Sequence, residues 1–224
     1  MIVSHRHKLI FIKTKKTAGT SFEIALSKFL DDDDIVTPIV EPEDERKREE
    51  LGFKGPRNFI MSADETRNGK KVRFFNHIGA QPLRRALPAK MWSYDKVSIL
   101  REPHDCIVSW YHYATRNRSP KPEFDEFLFA NPDIIVDNYN HVKVRGKCVL
   151  DHIIRFSDFK GSILALEAQK PGLQGLWETF SEVKAKGNIR PKNAATPAEI
   201  FARYPKAKQL VDLLLEDEPL ARIY

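Results

Sequence analysis

The chain has 224 residues, 42% hydrophobic and 30% charged, with a formal net charge of +6. That length suits one full-sized α/β domain and is short for two, and the balance is that of an ordinary folded protein, not a disordered or fibrous one. No run of about 18 apolar residues offers a membrane span. The two cysteines, Cys106 and Cys148, lack metal-type spacing, and a first strand beginning near Lys8 leaves no room for a signal peptide. The expectation is a single cytoplasmic domain over residues 1–224, with no membrane partner.

In chain order, the first informative stretch is FIKTKKTAGTSFEIALSKFL, residues 11–30. A short apolar run stops at a basic loop of small residues, and Phe22, Ala25, Leu26 and Phe29 then fall at helical spacing on one face. A strand–loop–helix unit of this kind aims the helix's free N–H groups and the positive end of its dipole at the loop, which suits an anion. The loop departs from the nucleotide-binding pattern G-x-x-x-x-G-K-[ST]. With Gly19 as the second glycine, Thr20 replaces the lysine, Thr14 replaces the first glycine, and the lysine has moved upstream to Lys16. Basic clusters at 13–16, 67–73, 84–85, 116–121 and 143–147 are dispersed among acids. They carry no zinc-finger or RNA-binding aromatic signature, so a small polyanion is expected as the partner and nucleic acid is not.

After this helix come the acidic run DDDD (31–34) and EPEDERKREELG (41–52), polar almost all round, which predicts an exposed helix or mobile excursion. KKVRFFNHIGA (70–80) reads as a strand ending in a loop, and PLRRALP as a short helix. DKVSILREPHDCIVSWYHYATRNR (95–118) repeats the opening design: Val97, Ile99 and Leu100 form a buried strand, and Pro103 suits a first helical turn. Ile107, Trp110, Tyr111 and Ala114 then share one helical face, Trp110, Tyr111 and Tyr113 reading as core or pocket wall. A third strand falls within VLDHIIRFSDF (149–159), followed by a helix, and TPAEIFARYP and KAKQLVDLLLEDEP close the chain as helices. Such alternation predicts an α/β domain with a parallel sheet flanked by helices.

In Mg-dependent nucleotide hydrolases an acid at the end of a neighbouring apolar strand helps to hold the metal. Here VSIL ends instead in Arg101, and Ser109 follows eight residues later, two turns into the next helix. The two can converge on one phosphate, and a P-loop kinase is disfavoured. His104 and His112 fit no H-E-x-x-H pattern, so no metal site is expected. His5, His7, His141 and His152 read as structural or solvent-facing.

KKTAGTS (15–21) resembles the 5′-phosphosulfate loop of sulfotransferases that use 3′-phosphoadenosine 5′-phosphosulfate (PAPS). REPHDCIVSWYHY (101–113) resembles their 3′-phosphate motif, R-x-P-x-x-x-x-x-S-x-Y. The loop is most similar to that of the carbohydrate branch, P-K-T-A-G-T-S, with Lys15 in place of the proline. IIRFSDF resembles a further segment, usually R-Y-E-D-L, near the adenine. The resemblance touches residues 8–30, 70–115 and 149–170, and the stretch 31–69 and the C-terminal third match it only loosely. That assigns 31–69 to the substrate side, where its charges suit a polar acceptor. The resemblance implies a P-loop-like, three-layer fold and in-line transfer of a sulfuryl group from PAPS, without a metal, to a hydroxyl or amine of a small-molecule or glycan acceptor. The product is the bisphosphate PAP. The alternative is a PAP- or polyanion-binding module of the same fold without catalysis.

Roles carry over residue by residue. The resemblance implies that Lys15 and Lys16 bind the donor, Lys16 beside the bridging oxygen, while Thr17, Ala18, Gly19, Thr20 and Ser21 cradle the 5′-phosphate. Arg101 and Ser109 would hold the 3′-phosphate, Phe156 would stand in for the adenine-packing tyrosine, and Arg190 or Lys192 would close over the nucleotide. FFNHIGA places His77 past an apolar strand and resembles, in part, the H-G-H-V stretch that carries the catalytic histidine of uronic-acid 2-O-sulfotransferases. His77 is therefore the expected base, with Glu23 and Glu102 as alternatives. An ordinary imidazole would lose activity below about pH 6.5.

Overall fold

The computed structural model describes residues 1–183 and 195–224. The chain opens with β1 (Ile2–Ser4) and β2 (Leu9–Phe11), both fully buried. β3 (Ile35–Val36) is two residues long, and two further two-residue strands, β4 (Ile60–Met61) and β5 (Val72–Arg73), pair antiparallel in a separate small sheet. β6 (Asp95–Leu100) is the longest strand among the described residues, and its last four residues are buried. A hairpin of β7 (Lys143–Val144) and β8 (Lys147–Cys148) precedes β9 (His152–Arg155). The main sheet has the order β3-β1-β2-β6-β9.

This sheet is mixed, which corrects the expectation of a parallel one. β2, β6 and β9 are parallel, with Phe11 opposite Val97 and Ile99 opposite Ile154. β1 is antiparallel to both β2 and β3. Apolar patterning marks a buried strand without giving its direction, and the three-residue segment Ile2–Ser4 is too short to announce itself. The linker His5–Lys8 decides the matter, because a parallel crossover needs about a dozen residues or more, whereas a hairpin needs only a turn.

Each parallel strand feeds a helix: α1 (Gly19–Leu26) after β2, α5 (Pro103–Ala114) after β6, and α8 (Phe159–Gln169) after β9. All three strand–loop–helix units expected from the sequence form. Residues of β2 and the one that follows it alternate between two apolar clusters, Leu9 and Phe11 on one face of the sheet, Ile10 and Ile12 on the other. The first cluster packs α1, α8 and α9 (Leu176–Glu182), where the Phe22 ring lies 4.9 Å from Phe11 and 6.3 Å from Phe180. The second takes α3 (Ala80–Ala86), α4 (Ala89–Trp92), α5, α6 (Phe124–Ala130), α10 (Pro197–Arg203) and α11 (Pro205–Leu215). A short α7 (Asp137–His141) lies beside the loop that precedes α1.

α2 (Pro42–Glu50) is the polar, largely exposed helix expected at 41–52, and two of its side chains, Asp44 and Arg48, are buried. Arg48 is completely buried, donates from Nε to Glu45 at 2.9 Å and lies 3.5 Å from the Ser27 hydroxyl. Among the described residues no helix is long and apolar enough to cross a membrane.

Candidate anion-binding site

β2 ends beneath the loop Ile12–Ala18, and α1 begins at Gly19. Two of the loop's L-residues take left-handed backbone conformations: Lys16 with φ 61° and Ala18, the N-cap of α1, with φ 58°. Each costs about 1–2 kcal/mol. Left-handed residues of this kind are the backbone geometry in which successive N–H groups form anion-binding concavities. No side-chain hydrogen bond caps α1, and its first residues, Gly19, Thr20 and Ser21, line the space above the loop, at the end of a helix that favours an anion. Gly19 is required by close approach, since a Cβ there would stand 2.9 Å from Lys13 Cγ.

Above the loop lies an open cavity of about 420 Å³, within the range of about 300–1,000 Å³ usual for small-ligand sites. Every described residue assigned to the donor from sequence lines it: the whole run Lys15–Ser21, with Arg101, Ser109 and Phe156, and with them the expected base His77. Arg190 and Lys192 lie outside the described residues. Lys13, Val40 and Glu41 join the wall with no motif to mark them; the basic cluster at 13–16 is the one signal for Lys13. Trp110 and Tyr113 also line the cavity, while Tyr111 turns into the core, where its ring lies 5.4 Å from Phe124. The helical face expected for α5 is thus divided between pocket and core.

The wall is electropositive. Lys13, Lys15, Lys16 and Arg101 contribute four cations, and Glu41 is the one carboxylate among the described lining residues. Lys13 Nζ is buried and donates to Glu23 at 2.7 Å and to Asn76 at 2.8 Å. Lys15 pairs with Asp137 at 2.9 Å. Lys16 Nζ rests 3.9 Å from the centre of the Tyr113 ring. Arg101 spans three groups: Nε pairs with Asp105 at 2.7 Å, Nη1 donates to the Lys16 carbonyl at 2.8 Å, and the guanidinium stacks 4.1 Å from the Phe156 ring centre.

Of the three candidate bases, His77 alone lines the cavity among the described residues. Its Nδ1 lies 3.0 Å from the Lys13 carbonyl. A carbonyl only accepts, so Nδ1 carries the hydrogen and the lone pair sits on Nε2. Burial, then the Lys13 ammonium, push the His77 pKa down to about 4, so the titration expected near 6.5 is displaced. Glu23 is fully buried, which by itself would raise its pKa, but Lys13 and the Met1 amino group hold it well below the usual carboxylate range. Glu102 caps α5, accepting from the backbone N–H groups of His104 and Asp105 and from the His104 ring at 2.7 Å.

A second, shallower basin of about 390 Å³ shares Lys15 and His77 with the cavity. It extends over Gly79–Pro82 at the start of α3 and over Asp137, Asn140 and His141 of α7. His141 thus lines a wall instead of facing open solvent, and burial lowers its pKa. From the stretch 31–69 only Val40 and Glu41 reach the cavity among the described residues.

Compared with protein-family models, with curated proteins and with solved structures, the chain matches none. The chemistry of the site therefore rests on its own residues.

Proposed function

We propose that the protein is a PAPS-dependent sulfotransferase with a P-loop-like sulfotransferase fold, acting on a hydroxyl or amine of a polar acceptor of the carbohydrate class. One observation carries the reading. The loop Lys15–Ser21 and the distant trio Arg101, Ser109 and Phe156 meet in one electropositive cavity with an imidazole at its rim.

Bound PAPS would supply an electrophilic sulfur whose bond to the 5′-phosphate oxygen breaks as the acceptor's bond to sulfur forms. The loop and α1 N–H groups hold the 5′-phosphate. Lys16 offsets the negative charge that grows on the bridging oxygen. Arg101 and Ser109 stand on the wall suited to the 3′-phosphate, and Phe156 offers a ring face to the adenine. His77 Nε2 accepts the acceptor's proton. A sulfuryl group carries less negative charge than a phosphoryl group, so four cations and main-chain dipoles suit it, and the mechanism calls for no metal ion. The basin beside His77 gives the acceptor its approach. Its Lys15–Asp137 ion pair and the carboxamides of Gln81 and Asn140 fit hydroxyl groups better than a flat phenol. The cytoplasmic setting expected from the sequence accompanies this reading.

Thermal shift with PAP, with AMP, and with ATP plus Mg²⁺ tests the donor half, since a ligand that binds the folded state raises stability by mass action. Selective stabilisation by PAP is expected; equal effects of all three would sink the reading. Transfer from labelled PAPS to a panel of sugars tests the other half, and PAP binding with no transfer at all would leave a binding module.

A further inference from the structure

One carboxamide in α7 grips the anion loop by both backbone groups of a single residue. Asn138 Oδ1 accepts from the Lys15 N–H at 2.8 Å, and Asn138 Nδ2 donates to the Lys15 carbonyl at 2.8 Å. Nδ2 also lies 3.4 Å from the Cys106 sulfur, and that thiol is 3.7 Å from the same carbonyl. The side chain completes the backbone of Lys15 as a neighbouring strand would, at a point where the loop has left the sheet. The next carbonyl is tied as well, Lys16 O accepting from Arg101 Nη1 at 2.8 Å.

A trans peptide unit carries its C=O and N–H on opposite edges. Holding the Lys15 carbonyl against α7 therefore turns the Lys16 N–H the other way, and holding the Lys16 carbonyl on Arg101 does the same for the Thr17 N–H. Lys15, Lys16 and Thr17 all line the cavity. The left-handed turn at Lys16, unfavourable on its own, falls between these two tethers. We infer, on the donor-site reading above, that Asn138 is a positioning residue, presetting the Lys16 and Thr17 amides to receive the 5′-phosphate. Aspartate at this position would keep the acceptor for the Lys15 N–H but set oxygen against oxygen at the carbonyl. Leucine would remove both contacts.

The test uses two ligands that differ only in the 5′-phosphate, PAP and adenosine 3′-monophosphate. Their dissociation constants are measured by calorimetry for the wild type, Asn138→Leu and Asn138→Asp. In both variants PAP is expected to weaken by at least about tenfold, the equivalent of one well-oriented hydrogen bond to a charged group. The adenosine 3′-monophosphate constant is expected to stay within about twofold. Equal weakening of both ligands, or none, overturns the role, because general loosening of the fold does not single out the 5′-phosphate. A wild type without preference for PAP overturns the donor-site reading itself. Should neither variant fold, amide nitrogen and proton shifts of the wild type decide. Lys16 and Thr17 must move on titration with PAP and far less with adenosine 3′-monophosphate, and unmoved amides reject the inference.

Discussion

His77 donates from Nδ1 to the main-chain carbonyl of Lys13, 3.0 Å away, across 64 positions of sequence. One contact sets the tautomer, turns Nε2 into the proton acceptor and seats the ring close to a buried ammonium. The consequence is an imidazole that stays neutral far into the acid range.

The pH profile follows from that. On the proposed mechanism the neutral ring is the active form, and burial and Lys13 hold its pKa at about 4. kcat/KM is therefore expected to hold level through pH 6 and to fall only as pH approaches about 4. A bound anion raises an imidazole's pKa, so kcat should fall at a higher pH than kcat/KM. Linkage runs the same way. Because the folded pKa lies below the unfolded value near 6.5, the folded state loses stability as pH falls from about 6.5 towards 4. His77→Ala should keep PAP affinity and lose most transfer. A kcat/KM limb near pH 6.5, or an active alanine variant, would remove His77 as the base.

Glu23 supplies a contrasting case. Glu23→Gln leaves the buried Lys13 without its carboxylate and should cost about 3–5 kcal/mol of stability. Transfer per folded molecule should survive, because Glu23 does not line the cavity. With a depressed folded pKa, this carboxylate contributes stability above the unfolded carboxylate range, and that contribution is lost as pH falls below it. Thermal melts of both proteins between pH 7 and pH 3, paired with rates per folded molecule, check this. Unchanged stability with lost turnover would return the base to Glu23.

Arg101 and Ser109, paired by their motif, should separate in their effects. Ser109→Ala is expected to weaken PAP by about 0.5–1.5 kcal/mol and to leave adenosine 5′-phosphosulfate, which lacks the 3′-phosphate, unchanged. Arg101→Ala also releases the Lys16 carbonyl and the stack on Phe156, so it should weaken both ligands, by about 1.5–3 kcal/mol for PAP. Calorimetry with the two ligands decides it. Loss confined to PAP in Arg101→Ala would mean that the tether on Lys16 is dispensable.

Lys16→Ala should lower kcat by several orders of magnitude with a smaller effect on PAP affinity, since charge on the bridging oxygen grows only as its bond to sulfur breaks. EDTA should leave the rate of the wild-type protein intact. A kcat loss under about tenfold would reduce Lys16 to a binding residue, and a rate abolished by EDTA would reject the mechanism.

Local features made the two motif-bearing units legible in sequence. The apolar run before the loop, the spacing of Phe22, Ala25 and Leu26, and Pro103 at the first turn of α5 each act within a few residues. That both units line one cavity follows from β2 and β6 lying side by side in parallel, a pairing that no single segment encodes. The direction of β1 depended on a linker too short for a crossover. The charged helix at 42–50 looked solvated because hydropathy counts residues one at a time, whereas Arg48 is buried against a partner three residues away and a hydroxyl on another element. The pKa of His77 and the tether from Asn138 to Lys15 were out of reach for the same reason. Desolvation and hydrogen bonding act between groups 64 and 123 positions apart, and only the packed chain brings them to 3 Å or less.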